Sequence, residues 1–520
     1  MRKKQIVKQK IKGILSKLPR FRNFFQMEEE SQGRNRRYGV ISEPVAKQYV
    51  DLDLAAMWER HSKRKELIHV FTEKDKDCSD LAEAEEIEDA KLLASFTALV
   101  SIIIINRNGA EKLQILMNSF HERDFYRNFE IIFIDNGSTD ESVAFMRSWE
   151  KEFDIKIIRN QTNTSFSAAN NQGARESSGQ YLLFLNNDTE VTDGWLDELL
   201  IAMEKADEPG AIGAKLIYPH IPDGTVNEGK SYCIQHTGIS FFPVIWKNNF
   251  YYEPYNRENG FPDDHLDDRL VERAGVTAAA LLIKKDVFEK AGGFDVHYNY
   301  GYEDVDLCLK LIRSGYRNYY CPTCLIFHYE SATQLKDYSE EREKRWEQNA
   351  AVLKEKWEKY LNDRIFIEKL AGQTIYSEEK PGIAIVMDKT APAPFLQDLP
   401  ATLESKGFSV YIITPANAFT PYRLNPHIDI LLSFSDSYDI SKIRNAIPYI
   451  RKIAWPELKY EKWCRRKFFG MFDLVITSDT KACQYIDMHS VHKSILLSNP
   501  DKDSDKLVDS FIEYLVRTSK

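Results

Sequence analysis

Three groups of carboxylate and amide side chains lie at the ends of regular elements that the sequence predicts. Asn186-Asn187-Asp188 follows the apolar run YLLFL, and Asp135 ends the apolar run FEIIFID. The pair Glu303-Asp304 opens a segment with helical periodicity. Carboxylates hold divalent cations and remove protons from nucleophiles. These groups are therefore the first candidates for a catalytic site.

The apolar runs near these residues predict a mainly parallel central sheet. Continuous β-branched or apolar runs occupy 99–105, 129–135 and 181–185, and segments of helical periodicity separate them. Strands buried on both faces have such runs, and alternation of strands with helices is typical of α/β proteins. Ligands bind beyond the carboxyl ends of parallel strands. We therefore expect Asn106, Asp135 and Asp188 to line one crevice.

Asn186-x-Asp188 resembles the DxD metal motif of nucleotide-sugar transferases. A magnesium-like cation needs one or two carboxylates and takes its other ligands from phosphates and water. Such a cation neutralises the charge that develops when a diphosphate leaves. A turn without a ligand is the ordinary alternative, and this spacing alone does not decide between the two.

The remaining patterns predict three regions. Residues 1–95 combine a basic amphipathic segment with a helical lead-in, residues 96–370 hold the α/β pattern and a trailing charged helix, and residues 380–520 hold a second α/β pattern. The last region has no Gly-rich phosphate loop. Residues 217–270 are rich in Pro, Gly, Asn and aromatic side chains, and we expect an ordered excursion that forms a wall of the substrate site.

The first 25 residues contain nine Lys or Arg and no acid, and apolar residues recur among them at helical spacing. A basic amphipathic helix of this kind binds an anionic membrane surface. A disordered basic tail and a partner-binding helix are the alternatives. The segment lacks the apolar core of a signal peptide, and the sequence has no run of about 18 apolar residues that would span a bilayer.

The overall composition limits the class of protein and the cellular compartment in which it is expected. The net charge of -9 argues against general nucleic-acid binding. Seven scattered cysteines indicate reduced thiols, so we expect a cytoplasmic protein, with attachment to the inner face of the plasma membrane through residues 1–25 as an option. Cys321 and Cys324 form a lone CxxC in an apolar run, which predicts buried thiols. Formation of a homo-oligomer is left open.

Five motifs together resemble family 2 glycosyltransferases. In chain order they are VSIIIINRNG, IIFIDNGSTDES, NTSFSAANNQGARESSGQYLLFLNNDTEVTDGWLDELL, VTAAALLIKKDVFEKAGGFD and GYEDVDLCLKLIRSGY. The resemblance covers about residues 98–335 and is strongest to the bacterial rhamnosyltransferase-like branch, which builds cell-surface polysaccharide. It implies an α/β protein with a GT-A nucleotide-sugar transferase domain. The patterns on either side of it predict a helical N-terminal region and a C-terminal Rossmann-like α/β domain.

The resemblance also implies a reaction and a set of partners. A sugar would move with inversion from a UDP- or dTDP-sugar to a hydroxyl of a glycan or lipid-linked saccharide. Asn186 and Asp188 resemble the DxD metal motif, and His328 matches a histidine ligand, with Mn or Mg as the implied cofactor. A single histidine after a strand is otherwise usually structural.

The resemblance assigns Asp304 as the base, and Glu303 as the residue that orients the acceptor or tunes Asp304. Acids in the first turn of a helix, favoured by the helix dipole, are the alternative. Asp135 matches the carboxylate that contacts the donor base or ribose, with capping of the next helix as its alternative.

The other donor-binding candidates are amides. Asn171 matches an amide that faces the nucleotide or the sugar, with a buried turn amide as its alternative. Asn106 and Asn108 in the first loop, and Asn187 beside the metal motif, complete the set.

Two residues depart from the family pattern. Asn186 stands where the first Asp of DxD is usual, which lowers the charge of the metal site, and Ser165 stands where NxGF has Gly. A nucleotidyltransferase on a similar sheet and a non-catalytic binding scaffold are the alternative functions. Residues 380–520 faintly resemble the acceptor-side half of a GT-B enzyme, which implies an acceptor-binding, docking or dimerisation module.

Overall fold

The computed structural model describes residues 43–73, 83–222, 227–247, 249–263, 268–298, 301–330, 340–388, 397–414, 427–443, 448–456, 459–497 and 504–519. The basic segment 1–25, for which the sequence predicts membrane contact, lies outside these residues. Among the helices that are described, none combines the length and the apolar composition needed to cross a membrane.

The described residues divide into two compact units. The first contains residues 43–240 and 254–355, and the second contains residues 241–253 and 356–519. A segment from the predicted excursion at 217–270 therefore belongs to the second unit. The two units are described separately below.

The first unit alternates strands and helices. Its helices are α1 (Glu43–Glu73), α2 (Ala84–Ser95), α3 (Ala110–Glu122), α4 (Ser142–Ser148), α5 (Phe166–Glu176), α6 (Trp195–Lys205), α7 (Lys285–Lys290) and α8 (Glu303–Arg313). Its strands before the excursion are β1 (Val100–Asn106), β2 (Phe129–Asp135), β3 (Ile155–Arg159), β4 (Tyr181–Leu185), β5 (Thr189–Val191), β6 (Pro209–Ile217) and β7 (Ile234–His236). The hairpin strands β8 (Ile239–Trp246) and β9 (Asn249–Asn256) follow, and then β10 (Val271–Arg273), β11 (Ala280–Lys284) and β12 (Arg317–His328).

The sheet of the first unit has the order β10-β12-β6-β11-β4-β1-β2-β3, with β5 paired to β12 and β7 paired to β6. Strands β3, β2, β1 and β4 are parallel, as the sequence predicts. The sheet is mixed beyond β4, because β11 runs antiparallel to both β4 and β6. Strand β11 follows the excursion and β10 rather than a crossover helix, so the connection does not impose the parallel direction.

The buried strands separate two apolar layers. Ile102 and Ile104 of β1 pack in one layer, with Phe120 of α3. Ile103 packs in the other layer, with Ala169 of α5. Successive side chains of a strand point to opposite faces, so a continuous run of isoleucines supplies both layers at once. Each fully buried isoleucine contributes about 1.5–3 kcal/mol relative to an exposed one.

A buried ion cluster attaches α1 to this sheet. Lys215 of β6 places its Nζ 2.5 Å from Asp53 of α1 and 2.7 Å from Asp263. All three residues are buried. A buried charge is tolerated when opposite charges and hydrogen bonds satisfy it. The helical lead-in expected before residue 96 thus packs within the first unit as α1 and α2.

The second unit contains another α/β sheet. Its elements are the C-terminal part of α9 (Glu340–Ala371), β13 (Gly382–Val386), α10 (Leu399–Ser405), β14 (Ser409–Ile413), β15 (Ile430–Ser433), β16 (Arg451–Ala454), α11 (Tyr460–Cys464), β17 (Leu474–Thr477), α12 (Thr480–His489), β18 (Ile495–Leu496) and α13 (Ser504–Ser519). The six strands are parallel in the order β14-β13-β15-β16-β17-β18. Every apolar run that predicts a strand after residue 380 forms one. The Rossmann-like and half-GT-B descriptions remain predictions.

The hairpin β8–β9 packs on the second unit. The hydroxyl of Tyr252 donates to Oδ1 of Asn362 at 3.0 Å, and the amide of Phe241 donates to the carbonyl of Tyr376 at 2.7 Å. The aromatic side chains of the excursion therefore contribute to this interior, in addition to the wall of the substrate site that the sequence predicts.

The lone CxxC lies inside the first unit. Cys321 and Cys324 are both buried in β12, and both are free thiols. The prediction of buried, structural thiols at this motif is confirmed.

Replacement of Lys215 by Met should destabilise the protein strongly. The change leaves Asp53 and Asp263 next to each other in a buried site without a counter-charge. We expect the free energy of unfolding, measured by urea denaturation, to fall by about 3–5 kcal/mol.

Lys47 provides the matched control, because its pair with Asp51 at 2.6 Å is exposed. Lys47→Met should change the free energy of unfolding by less than about 1 kcal/mol. An equal effect of the two substitutions would contradict the structural role given to Lys215.

Candidate functional site

The predicted site residues lie at the carboxyl ends of the central strands. Asn106 and Asp135 are partners in the register of β1 and β2, and both are buried. Asn186 and Asp188 follow β4, and His328 is the last residue of β12. Strand β12 reaches this position because its last three residues pair antiparallel with β5, so that His328 lies opposite Thr189. Strands from different parts of the chain thus meet around Asp188.

Asp188 lies between two basic side chains. Its Oδ1 is 3.2 Å from Nε2 of His328, and its Oδ2 accepts a hydrogen bond from Nζ of Lys112 at 3.0 Å. Burial alone would raise the pKa of Asp188, but the hydrogen bond to His328 and the charges of His328 and Lys112 outweigh burial and bring this pKa far below its ordinary value. Asp188 is therefore a carboxylate at neutral pH.

The ring of His328 is held by Gln235 of β7. Nδ1 of His328 is 2.6 Å from Oε1 of Gln235, and the amide nitrogen of Gln235 donates to the carbonyl of His328 at 3.5 Å. Because Oε1 can only accept, Nδ1 carries the hydrogen and Nε2 faces Asp188. Burial lowers the pKa of His328, but the neighbouring Asp188 raises it more. Metal-binding histidines are commonly oriented through their second nitrogen in this way.

The side chains around Asp188 fit a divalent cation that shares its coordination with a diphosphate. Asp188 offers a carboxylate and His328 an imidazole, and both are ligands that Mn and Mg sites use. Nδ2 of Asn186 lies 3.2 Å from Nε2 of His328, so Asn186 also borders the imidazole. Within the described part of the chain, no group of three or more His, Cys, Asp and Glu side chains could hold a metal ion. The donor set therefore fits a cation completed by phosphate and water, and does not fit a cation held by protein alone.

Asp304 lies in the first turn of helix α8, and its carboxylate accepts hydrogen bonds from two backbone amides. Its Oδ2 accepts from the amide of Ala278 at 3.1 Å, and its Oδ1 accepts from the amide of Val305 at 2.8 Å. Burial raises the pKa of Asp304, and the two backbone hydrogen bonds only partly oppose this. A carboxylate with a raised pKa is a stronger base than an exposed aspartate.

Glu303 lies beside Asp304 and is buried. Its Oε2 accepts from the amide of Gly301 at 2.7 Å. Burial and the charge of Asp304 raise the pKa of Glu303. Two adjacent carboxyl groups in a buried position resist joint ionisation, so each one affects the proton affinity of the other.

The segment 277–279 connects the Asp188 group with Asp304. The carbonyl of Ala279 accepts from the amide of Asn186 at 3.0 Å, and the amide of Ala278 donates to Asp304. The amide of Thr277 donates to Nε2 of His236, which follows Gln235 in β7, at 3.2 Å. Asp304 therefore contacts the same short segment of backbone as Asn186, which lies two residues before Asp188 in the turn after β4.

The predicted donor-binding side chains near β1 and β2 hold the loops in place. Nδ2 of Asn187 donates to Oδ1 of Asn106 at 2.6 Å, which joins the ends of β4 and β1. Oδ1 of Asn108 accepts from the amide of Thr139 at 2.8 Å. Asp135 accepts from the amide of Ser138 at 3.2 Å, within its own turn.

Asn171 is placed differently from the other candidates. Its Nδ2 donates to the carbonyl of Phe294 at 2.8 Å, and its Oδ1 accepts from the amide of Phe294 at 3.0 Å. The structure thus groups Asn171 with the turn after α7 rather than with Asp188. This arrangement corresponds to the alternative of a structural turn amide.

Sequence reasoning missed Lys112, Gln235 and His236. Lys112 looks like an ordinary polar residue of the amphipathic helix α3, and its distance from Asp188 depends on the fold. Gln235 and His236 lie in the irregular excursion, which is expected to border the site but offers no motif that singles them out.

A separate cleft lies near this site. Phe327 and Glu190, which are partners in the register of β12 and β5, line the cleft together with Met57, Trp58 and Arg123. Neighbouring residues of a strand face opposite sides of a sheet, so the cleft lies on the side away from His328. None of the predicted site residues lines it.

Comparison with known proteins supports the predicted family. Residues 101–273 match the family model described as Glycosyl transferase family 2. This segment of the chain is thus similar to glycosyl transferase family 2. The resemblance predicted from the motifs is confirmed, and the match together with the sheet of the first unit confirms the predicted GT-A fold. The match ends before Glu303, Asp304 and His328, so the roles of these residues remain predictions.

Curated relatives align with about half of this chain. The uncharacterized protein y4gI of Sinorhizobium fredii is 31% identical over 272 residues, which are 50% of this chain and 28% of that protein. The O-antigen biosynthesis protein RfbC of Myxococcus xanthus is 32% identical over 249 residues, which are 46% of this chain and 18% of that protein. The chain thus spans less than a third of the length of either relative.

One solved structure illustrates the level of structural similarity. A crystal structure of GalNAc-T7 with UDP, GalNAc and Mn2+ aligns with 45% of this chain and 44% of its own chain, at 19% identity and a TM-score of 0.35.

Replacement of Gln235 by Leu should weaken cation binding. The change removes the acceptor of the Nδ1 hydrogen of His328, so the ring is free to turn away from Asp188. We expect the affinity for Mn2+, measured by isothermal titration calorimetry with UDP present, to fall about 10- to 100-fold.

Gln235→Glu, which keeps an acceptor oxygen, should retain most of the affinity. Gln180→Leu is the matched control, because the Gln180 side chain accepts a backbone hydrogen bond from Leu99 at the opposite end of β4. A normal Mn2+ affinity in Gln235→Leu would contradict the orienting role of Gln235.

Proposed function

We propose that this chain transfers a sugar from a nucleotide-diphosphate sugar to a hydroxyl group of an acceptor, with inversion at the anomeric carbon. The segment 277–279 supports the proposal most directly, because it accepts a hydrogen bond from Asn186, two residues before Asp188, and donates one to Asp304. Displacement at a carbon atom needs a site for the leaving group on one side and a base for the nucleophile on the other. The match of residues 101–273 to the family 2 model favours this reaction over the nucleotidyltransferase alternative.

The leaving diphosphate is assigned to the Asp188 side of the site. Asp188 and His328 would hold Mn or Mg there, with Asn186 beside the imidazole. Such a cation, when bound, neutralises charge on the departing diphosphate. Asp135, Asn106, Asn108 and Asn187 would contact the nucleotide part of the donor, because they surround the ends of β1, β2 and β4. The contacts of Asn171 support a structural role instead.

Asp304 is assigned as the base. It would take the proton of the acceptor hydroxyl while the oxygen forms its bond to the anomeric carbon and the bond to the diphosphate breaks. The nucleoside diphosphate would leave with the bonding electrons. The raised pKa of Asp304, caused by burial, supports this role because it strengthens the carboxylate as a proton acceptor. Glu303 would sustain that raised pKa through its adjacent carboxyl group.

The acceptor and the location form a further part of the proposal. A relative is named an O-antigen biosynthesis protein, which favours a cell-surface glycan or lipid-linked saccharide as the acceptor and a UDP- or dTDP-sugar as the donor. The reaction would take place on the cytoplasmic side of the plasma membrane, with residues 1–25 in contact with anionic lipid. The second unit would serve acceptor binding, docking or dimerisation.

Asp304→Asn should strongly reduce turnover and preserve donor binding. The amide keeps the shape of the side chain but cannot take a proton, so we expect turnover to fall about 10²- to 10⁴-fold. A thermal-shift screen over UDP-, dTDP- and GDP-sugars with Mn or Mg identifies the donor. Hydrolysis of that donor by water, followed by release of nucleoside diphosphate, then measures turnover without the acceptor.

Asp286→Asn is the matched control, because Asp286 is an exposed acid in the first turn of α7 and pairs with Lys290 at 2.8 Å. It should keep normal turnover. Full activity of Asp304→Asn would contradict the assignment of the base. Release of pyrophosphate from a nucleoside triphosphate would support the nucleotidyltransferase alternative, and a complete lack of turnover and donor binding would support the scaffold alternative.

A further inference from the structure

Lys112 is a charged residue of the site that neither the motifs nor the family assignment explains. We infer that Lys112 couples cation binding to diphosphate binding: it competes with a divalent cation for Asp188, and it changes partner to the phosphate oxygens of the nucleotide. The inference rests on the proposed function and adds a binding role for one residue of this chain.

The contacts of Asp188 provide the first part of the argument. One carboxylate oxygen faces His328 and the other accepts from Nζ of Lys112 at 3.0 Å. The side chain of Asp188 is only 12% exposed, so few directions of approach remain for another ligand. A cation that binds Asp188 must therefore compete with Lys112 for the same carboxylate.

The number of carboxylates makes this competition important. The usual first Asp of DxD is Asn186 in this chain, and Asn186 presents its Nδ2 to His328. Asp188 is thus the carboxylate shared by Lys112 and the cation. A divalent cation without a counter-ion would place excess positive charge beside the ammonium group, and like charges at short range repel each other. A diphosphate relieves this repulsion because it supplies negative charge to both.

The position of Lys112 allows the exchange of partners. Lys112 lies in the first turn of α3, and its side chain is 34% exposed. The start of α3 is held close to the site: a Cβ at Gly109 would lie 2.6 Å from Nδ2 of Asn187. The backbone of Lys112 is thereby fixed near Asp188, whereas its long side chain can turn toward a phosphate. Lysine is a flexible point charge that suits such a contact.

Coupling of this kind has a measurable consequence. In the wild type, Mn2+ and a nucleoside diphosphate should each increase the affinity for the other by the same factor, about tenfold or more. Lys112→Gln removes the competitor for Asp188 and also the partner of the phosphate. Mn2+ alone should then bind about three- to tenfold more tightly, and the nucleotide alone about tenfold more weakly. The two affinities change in opposite directions, which a damaged fold would not produce.

Isothermal titration calorimetry on the full chain tests the inference. Mn2+, UDP, dTDP and GDP are titrated separately, and each nucleotide is then titrated with Mn2+ present. Lys112→Arg retains the charge and should keep the coupling. Lys156→Gln is the matched control, because Lys156 forms an exposed pair with Glu176 at 2.6 Å, and it should change neither affinity. Circular dichroism confirms that each variant is folded.

Four results would overturn the inference. In Lys112→Gln, these are unchanged affinities, a loss of both affinities, or undiminished coupling. In the wild type, the fourth is nucleotide binding that is independent of Mn2+. In each of these cases, normal donor binding and turnover by the wild type would leave the proposed function intact. If the wild type binds none of the three nucleotides with Mn2+ present, the inference and the proposed function both fail.

Discussion

The ionised state of Asp188 is the constraint on which the site depends. A partly buried carboxylate keeps its charge only when nearby groups compensate for lost water, and here His328 and Lys112 provide that compensation. Gln235 in turn fixes the ring of His328. The site is thus a hydrogen-bonded network in which Gln235 orients His328, and His328 and Lys112 keep Asp188 charged.

The mixed part of the sheet brings the side chains of this network together. Strands β1, β2 and β4 are parallel, and their carboxyl ends supply Asn106, Asp135 and the Asn186–Asp188 turn. Strand β11 runs antiparallel beside β4, so the segment 277–279 that precedes it begins at the same edge. Asp304 binds this segment through the amide of Ala278. The contact between Asp304 and Ala278 thus depends on the antiparallel direction of β11.

Much of the fold could be predicted because the signals are local. The isoleucine run of β1 is apolar on both faces, and this pattern requires cover on both sides of the sheet. The strands of the second unit are recognisable for the same reason. The direction of β11 and the assignment of the hairpin β8–β9 to the second unit could not be predicted. Both depend on how the excursion between β7 and β10 packs, and its sequence has no regular period.

The sequence by itself determined the resemblance to family 2, the order of the strands along the chain and the presence of carboxylates at their ends, because motifs and hydrophobic patterns are properties of short segments. Only the tertiary structure decided which groups surround those carboxylates. Lys112, Gln235 and His328 are separated from Asp188 by 76, 47 and 140 positions of the chain, and nothing local connects them. The charge of Asp188 and the structural contacts of Asn171 follow from such distant neighbours, since electrostatic and hydrogen-bond energies depend on distance in space.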